Sequence, residues 1–457
     1  MKVIALVDGE HYPAVIRWGL DTARTAGYEV ALAWLVGGTE KLEGPQGAVD
    51  LGQTPVVASG PGADLMQDLR REIERLRPQA VLDLSDEPIL VYERRMELVS
   101  VALAMGVPYI GPDFRFDPPI TELPLSVPTF GVIGTGKRVA KTAIAGHTAR
   151  LAASAGHRPI VVAMGRGGPA QPAVAGPQDV SLDALLAAVD RGEHAASDYL
   201  EDALTSNVPT IGARRVGGGL AGKPFATNVA EAARLAASTG PDLVILEGSG
   251  ASVPTLPWDA GVLVAPGTLT AEHLGGYLGP FRVLLSDLLI LMMDGSPTGP
   301  DNVSTLYPLA RRLREDIRLA LAELQPVALA DVRGKDAFFA TTTHPELAAR
   351  LASQLERTAE CRVVSFSSHL ADRAALEQDL ASAPPFDVLL TELKAAAIDV
   401  AARRALDRGA EVVFVDNRPK GVGGDGDLDQ LLTDTLDLAS DRAGRRIQSA
   451  SEAVEKR

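Results

Sequence analysis

Phe130 to Ala143 reads F-G-V-I-G-T-G-K-R-V-A-K-T-A. The run Thr129 to Ile133 predicts a buried strand, glycine-spaced residues follow it, and the apolar periodicity from Ala143 to Ala155 predicts a helix. A strand that turns through glycines into a helix beginning Lys-Thr is the layout of a phosphate-binding loop. Backbone N–H groups at the helix N-terminus cradle an anion, a lysine reaches the terminal phosphates, and a hydroxyl joins the shell of a Mg2+ ion. Gly134, Thr135, Gly136, Lys137, Arg138, Val139, Ala140, Lys141 and Thr142 are therefore the candidate nucleotide-binding residues. The match to G-x-x-x-x-G-K-[ST] is incomplete, because Thr135 stands where the first glycine belongs and Ala140 replaces the glycine before the lysine. A glycine-rich turn with an incidental lysine is the competing reading.

Further along the chain lies a second signal, D-L-V-I-L-E-G-S-G at Asp242 to Gly250. It reads as a buried strand ending in an acid and a Gly-Ser-Gly turn. Ligands of open parallel sheets sit at the carboxyl ends of strands, so Glu247 is a candidate Mg2+ ligand beside Thr142. The stretch G-T-G-K-R-V-A-K-T resembles the G-T-D-x-x-V-G-K-T loop of dethiobiotin synthetases, whose first glycine also comes one place early and which carry E-G-[AS]-G after a comparable strand. By that resemblance Lys141 is the phosphate lysine and Thr142 the Mg2+ hydroxyl, while Gly136 stands in for the family aspartate.

Cations gather around these glycines. Lys137 and Arg138 lie inside the loop, Arg166 lies in M-G-R-G-G-P, and Arg214, Arg215 and Lys223 flank Gly217, Gly218 and Gly219. Only 9 of the 44 basic residues are lysines, so two within one short loop and a third in the second glycine-rich stretch mark a site rather than a background. Glycine-lined backbone with converging cations suits a polyanionic substrate. Taken one at a time, each arginine fits a surface salt bridge better than a ligand site, and only the grouping with glycine brings the two readings level.

The chain has 457 residues, a net charge of −15 and one cysteine. That length predicts two to four domains. The acidic balance without a Lys/Arg-rich run argues against nucleic acid, and no apolar run approaches the about 20 residues a bilayer crossing needs. Lone Cys361 can form no internal disulfide, which fits a reducing compartment and a cytoplasmic location. Seven histidines without H-x-x-x-H spacing give no zinc site, and Gly248-Ser249-Gly250 is no G-x-S-x-G elbow.

Strand and helix patterns alternate along most of the chain, so an α/β fold of mostly parallel sheets is expected. Its parts are an N-terminal α/β domain over 1–116, a proline-rich linker over 117–128, a central P-loop domain over 129–324, a C-terminal α/β domain over 325–440 and a polar tail over 441–457. Asp8, Glu10 and His11 end the first strand, and Asp416, Asn417 and Arg418 end a late one; a strand-end cap and a ligand site are equally open for both groups. Glu392 and Lys394 read as capping and solvated-face residues of a helix.

Over nearly its whole length the sequence resembles the cyclic 2,3-diphosphoglycerate synthetases. The resemblance rests on LVDGEHYPAV at Leu6 to Val15, SDEP at Ser85 to Pro88, GVPYIGPDF at Gly106 to Phe114, GTGKRVAKT, MGRGGP, HAASDYLEDAL at His194 to Leu204, GGGLAGKPF, LVILEGSG, TELKAAAIDVA and VVFVDNRP. It implies an ATP- and Mg2+-dependent ligase that closes a phosphoanhydride within 2,3-bisphosphoglycerate, acting as a homodimer. It further implies that Lys141 and Lys137 serve the ATP phosphates, Thr142 and Glu247 the Mg2+, and Arg166, Arg214, Arg215 and Lys223, with Gly218, the substrate, aided by Asn228 and His194. A P-loop kinase or dethiobiotin synthetase-like ligase for another small anion is the alternative, and a partitioning ATPase with a protein partner is a third reading.

Overall fold

Short apolar runs that are buried along their whole length become parallel strands, because such strands need cover on both faces. In the computed structural model, which describes residues 1–38, 51–60, 62–295 and 298–455, they form two sheets. The chain divides into one unit of Met1–Thr121 with Thr270–Leu285 and Thr305–Glu315, and another of Glu122–Leu269, Ser286–Ser304 and Asp316–Arg457. Most of the segment expected as the central domain shares the second unit with the expected C-terminal domain, while its stretches Thr270–Leu285 and Thr305–Glu315 belong to the first.

In the first unit the strands are β1 (Lys2–Val7), β2 (Glu29–Leu35), β3 (Val56–Ala58), β4 (Ala80–Asp83), β5 (Tyr109–Ile110) and β6 (Arg115–Phe116). Their order is β3-β2-β1-β4-β5-β6, parallel except for β5 against β6. Val3, Ala5 and Val7 pack on Ile16 and Leu20 of the helix Pro13–Thr25. Asp8 is wholly buried at the end of β1. Its Oδ1 accepts from the Glu10 N–H at 2.9 Å and lies 2.9 Å from His11 Nδ1, and its Oδ2 accepts from the Asp86 N–H at 2.6 Å. The carboxylate is thereby occupied as a strand-end cap that ties L-V-D-G-E-H to S-D-E-P.

The second unit holds β7 (Thr129–Gly134), β8 (Pro159–Gly165), β9 (Ala173–Ala175), β10 (Thr210–Val216), β11 (Ala226–Thr227), β12 (Leu243–Glu247), β13 (Ala260–Pro266), β14 (Leu288–Met292), β15 (Arg318–Ala328), β16 (Asp336–Ala340), β17 (Arg362–Ser367), β18 (Val388–Thr391) and β19 (Glu411–Gly424). They make one sheet in the order β11-β10-β8-β12-β7-β13-β14-β15-β19-β18-β16-β17, with β9 beside β10. The P-loop strand β7 is central, parallel to β12 and β13. The joint is β19: its first residues run parallel to β18, and from Val415 onward it runs antiparallel to β15.

The polar stretch from 441, expected as a tail, is helical to Glu455 within a helix that starts at Leu428; residues 456 and 457 lie outside the described ones. Leu428, Leu431, Leu432, Leu436 and Ala439 join the core that contains Val132 and Ile144. Charges continue what the leucines begin. Arg446 forks onto both oxygens of Asp259 at 2.9 Å and donates to the Leu125 carbonyl at 2.6 Å, while Arg442 meets Asp287 at 2.8 Å. Asp259 also accepts from the Thr129 N–H and hydroxyl at the foot of β7. Replacing Arg446 by alanine leaves a buried carboxylate without its counter-ion, and we expect a loss of about 3 kcal/mol, read as a lower thermal midpoint. An unchanged midpoint would mean that this end of the helix contributes nothing. Among the described residues no helix is long and apolar enough to cross a membrane.

Candidate functional site

β7 delivers the loop to the centre of the sheet. A Cβ on Gly134 would lie 2.8 Å from Val139 Cγ2 and 2.9 Å from Lys141 Cδ, so glycine is required for the lysine stem to fold back across the strand end. Lys141 opens the helix Lys141–Ser154, is 7% exposed, and donates from Nζ to the Gly136 carbonyl at 2.8 Å. Burial lowers its pKa to about 8, against the pull of Glu247 and Asp198. Lys137 and Arg138 are exposed, and neither has an ion-pair partner among the described residues.

Ala140 has φ 68°, in the left-handed region. A β-carbon there costs roughly 1–2 kcal/mol, so Ala140→Gly should stabilise the fold by about 1 kcal/mol, seen as a higher thermal midpoint. A midpoint that falls would show that the methyl packs usefully against the loop.

Thr142 donates its hydroxyl to Glu247 Oε1 at 2.8 Å, which brings together the two residues assigned to Mg2+ from the sequence. The other oxygen of Glu247 is buried without a partner. Beside it runs the helix Asp198–Ser206, whose residues 198, 201, 202 and 205 fall on one face by helical spacing. Among the described residues no N–H or hydroxyl donates to either oxygen of the fully buried Asp202, whose carboxyl stands close enough to that of Glu247 to share a proton with it. Desolvation, with Asp198 nearby, raises the pKa of Glu247; desolvation, with Glu247 and Glu201 nearby, raises that of Asp202 well above the carboxylate range. A hydroxyl and unpaired buried carboxylate oxygens are the hard donors Mg2+ takes, and one or two carboxylates suffice when phosphates and waters fill its octahedron. Among the described residues no group of three or more His, Cys, Asp or Glu side chains forms a ready cage.

Two cavities open at this edge of the sheet. One, of about 360 Å³, is lined by the loop residues 137–143, by Arg166, His194, Asp198, Glu201 and Glu247, and by Thr342, Thr343, Glu392, Lys394, Asp416 and Asn417. The other, of about 510 Å³, is lined by Arg166, Arg215, Val216, Gly217, Gly218, Gly219, Ala251 and Ser252. Arg166 belongs to both, is exposed, and has no ion-pair partner among the described residues. Arg215 is buried and donates to the Gly217 carbonyl at 2.6 Å and the Ser249 carbonyl at 2.9 Å. A Cβ on Gly250, whose φ is 60°, would come within 3.2 Å of both guanidinium groups, so the Gly-Ser-Gly turn is where they converge.

Other expected substrate residues are placed differently. Successive side chains of a strand point to opposite faces, and in β10 this separates exposed Arg214 from buried Arg215. Arg214 donates to the carbonyls of Gly168 and Pro169. Asn228 accepts from the Arg214 N–H at 2.7 Å and donates to the Ala170 carbonyl at 3.2 Å, so its amide is spent on backbone. Exposed Lys223 lines neither cavity. His194 lies close against Gly167, within the first cavity.

The C-terminal contribution escaped sequence reasoning. Glu392, expected on a solvated face, is 4% exposed. It accepts from Asn417 Nδ2 at 2.5 Å, from the Thr341 hydroxyl at 3.0 Å and from the Thr342 N–H at 3.2 Å. Lys394, likewise expected on a solvated face, sits 2.8 Å from Glu201. Asp416 is taken up by Arg418 at 2.8 Å and Arg150 at 3.3 Å. Polar residues at the ends of the apolar runs that form β16, β18 and β19 were the available signal; that these ends face the P-loop depends on the β15–β19 joint, which no local pattern announces.

Three family models match the chain, described as cyclic 2,3-diphosphoglycerate synthetase, N-terminal domain over residues 2–117, P-loop domain over 129–318 and C-terminal domain over 328–418. The cyclic 2,3-diphosphoglycerate synthetase of Rubrobacter xylanophilus is 43% identical over 435 residues, 94% of this chain and 97% of that protein. Those of Thermococcus kodakarensis and Methanothermus fervidus are 38% and 35% identical, covering 98% and 96% of this chain and 100% and 98% of theirs. Among solved structures, a ParA family ATPase from Chlorobium tepidum aligns with a TM-score of 0.21 and 11% identity over 55% of this chain and 89% of that one, too slight a likeness to bear on function.

Proposed function

We propose, since this chain belongs to the cyclic 2,3-diphosphoglycerate synthetase family, that it converts 2,3-bisphosphoglycerate and ATP into cyclic 2,3-bisphosphoglycerate, ADP and inorganic phosphate. The observation that supports this reading beyond the relatives is Arg166, an unpaired guanidinium common to the P-loop cavity and to the glycine-lined cavity of Arg215. Such a group can hold an acceptor phosphate against a nucleotide phosphate.

In the first step an oxygen of one substrate phosphate attacks the γ-phosphorus, and the bond from that phosphorus to the ADP oxygen breaks. In the second, an oxygen of the other substrate phosphate attacks the phosphorus so activated, the ring anhydride forms, and the transferred group leaves as inorganic phosphate. Both steps bring polyanions together, so charge neutralisation and positioning carry the catalysis. Lys141 and Lys137 neutralise the nucleotide phosphates along the loop Gly134 to Thr142. Arg166, Arg215 and the backbone at Gly218 hold the substrate, with His194 at the border. Thr142 and Glu247 would hold Mg2+, which supplies charge neutralisation on the phosphates when bound. A homodimer is the assembly the resemblance implies, and sedimentation would test it.

Phosphorus NMR of the purified protein with ATP, Mg2+ and 2,3-bisphosphoglycerate tests the reaction. The expected result is a new upfield phosphoanhydride signal that grows with ADP and inorganic phosphate. ATP consumption without that signal would overturn it.

A further inference from the structure

T-E-L-K-A at Thr391 to Ala395 has no part in the reaction as derived above, yet it ends β18 at the wall of the P-loop cavity, where Lys394 lies with Lys141. Lys394 Nζ is 2.8 Å from Glu201 Oε1. The pair ends a line of groups that starts at the loop: Thr142 donates to Glu247, Asp202 acts electrostatically on Glu247 and Glu201, and Glu201 meets Lys394. Asp198 is a charged neighbour of both lysines. Lys394 is thereby tied to the phosphate end of the cavity.

An ammonium has three N–H donors; Glu201 engages one of them, Glu392 and Asp198 act on it electrostatically, and the side chain keeps 33% exposure. The local backbone is unusual as well. Ala395 has φ 47° and is followed by a π-helical turn, Ala397–Ala402, geometry that is retained where the surroundings impose it and that clusters at functional sites.

We propose that Lys394 is a further phosphate-neutralising lysine, supplied to the P-loop site by the C-terminal segment, that contacts the phosphoryl group in transit between nucleotide and acceptor. This rests on the reaction proposed above. The competing role is that of a counter-ion to Glu201 and its neighbour Glu392.

Lys394→Ala, Lys394→Arg and the double variant Lys394→Met with Glu201→Gln separate the two. ATP turnover and cyclic product are followed by phosphorus NMR, binding by titration with a fluorescent ATP analogue, and folding by the thermal midpoint. Lys394→Ala should lower kcat by about 30- to 100-fold and change nucleotide affinity by no more than about threefold, as for an interaction made in the transition state. Lys394→Arg should recover part of the rate. The double variant removes the buried charge along with its partner and should restore the midpoint without restoring turnover. Turnover restored along with the midpoint, or a Lys394→Ala variant that loses only stability, would overturn the proposal. If the wild-type protein consumes ATP and makes no cyclic product, the reaction fails instead, and the same variants judge Lys394 on ATP turnover alone.

Discussion

Lys141→Ala is expected to lose at least about a thousandfold in kcat/KM, since the cation that offsets charge on the transferring phosphoryl is removed from a site where water cannot replace it. Its ammonium lies on the Gly136 carbonyl with 7% exposure, so the loss is chemical and the thermal midpoint should stay or rise. The pKa of about 8 gives the prediction a second arm. A folded-state pKa below the ordinary lysine value means that the cation is present below about pH 8 and is lost as pH rises through it. Affinity for ATP should therefore fall as pH is raised from 7.5 to 9, and Lys141→Arg, always charged, should flatten that fall even where turnover is poor. Unchanged turnover in the alanine variant would remove the loop from the mechanism.

Arg166→Ala carries the second large effect, because one side chain serves two cavities. Loss of a charge-assisted contact to phosphate, with Arg215 left to hold the substrate, should cost roughly a hundredfold to a thousandfold in kcat/KM for 2,3-bisphosphoglycerate. The KM for that substrate should rise more than the KM for ATP. The reverse ratio would move Arg166 to the nucleotide side. Arg215→Ala is a weaker probe, since Arg215 also holds the carbonyls of Gly217 and Ser249 and its loss disturbs the cavity wall.

Local patterns carried much of this structure. The helix expected over Ala143 to Ala155 is observed at Lys141–Ser154, and the strand expected at 129–133 runs one residue longer. The P-loop and Glu247 were legible because each joins an apolar strand to a turn within a few residues. Arg214 and Arg215 show where adjacency misleads, for neighbours on a strand point apart however similar their chemistry. Asp198, Glu201 and Asp202 were legible in principle from their spacing on one helical face. Glu392 and Lys394 were not, because their place in the cavity depends on pairing between strands far apart in sequence. The polar 441–455 stretch misled for a related reason: Arg442 and Arg446 find their carboxylates at the feet of other strands, so composition alone reads them as solvated.

β19 has a mechanical consequence. One uninterrupted strand of 14 residues is hydrogen-bonded to β18 on the C-terminal side and to β15 on the P-loop side. Its first four residues pair with β18 and those from Val415 onward with β15, so the two halves are joined end to end through the strand at Phe414 and Val415. Relative motion of the two cavity walls is therefore focused on that one junction of a single strand, and the amides of the buried first half of the β15–β19 ladder should exchange slowly with deuterium.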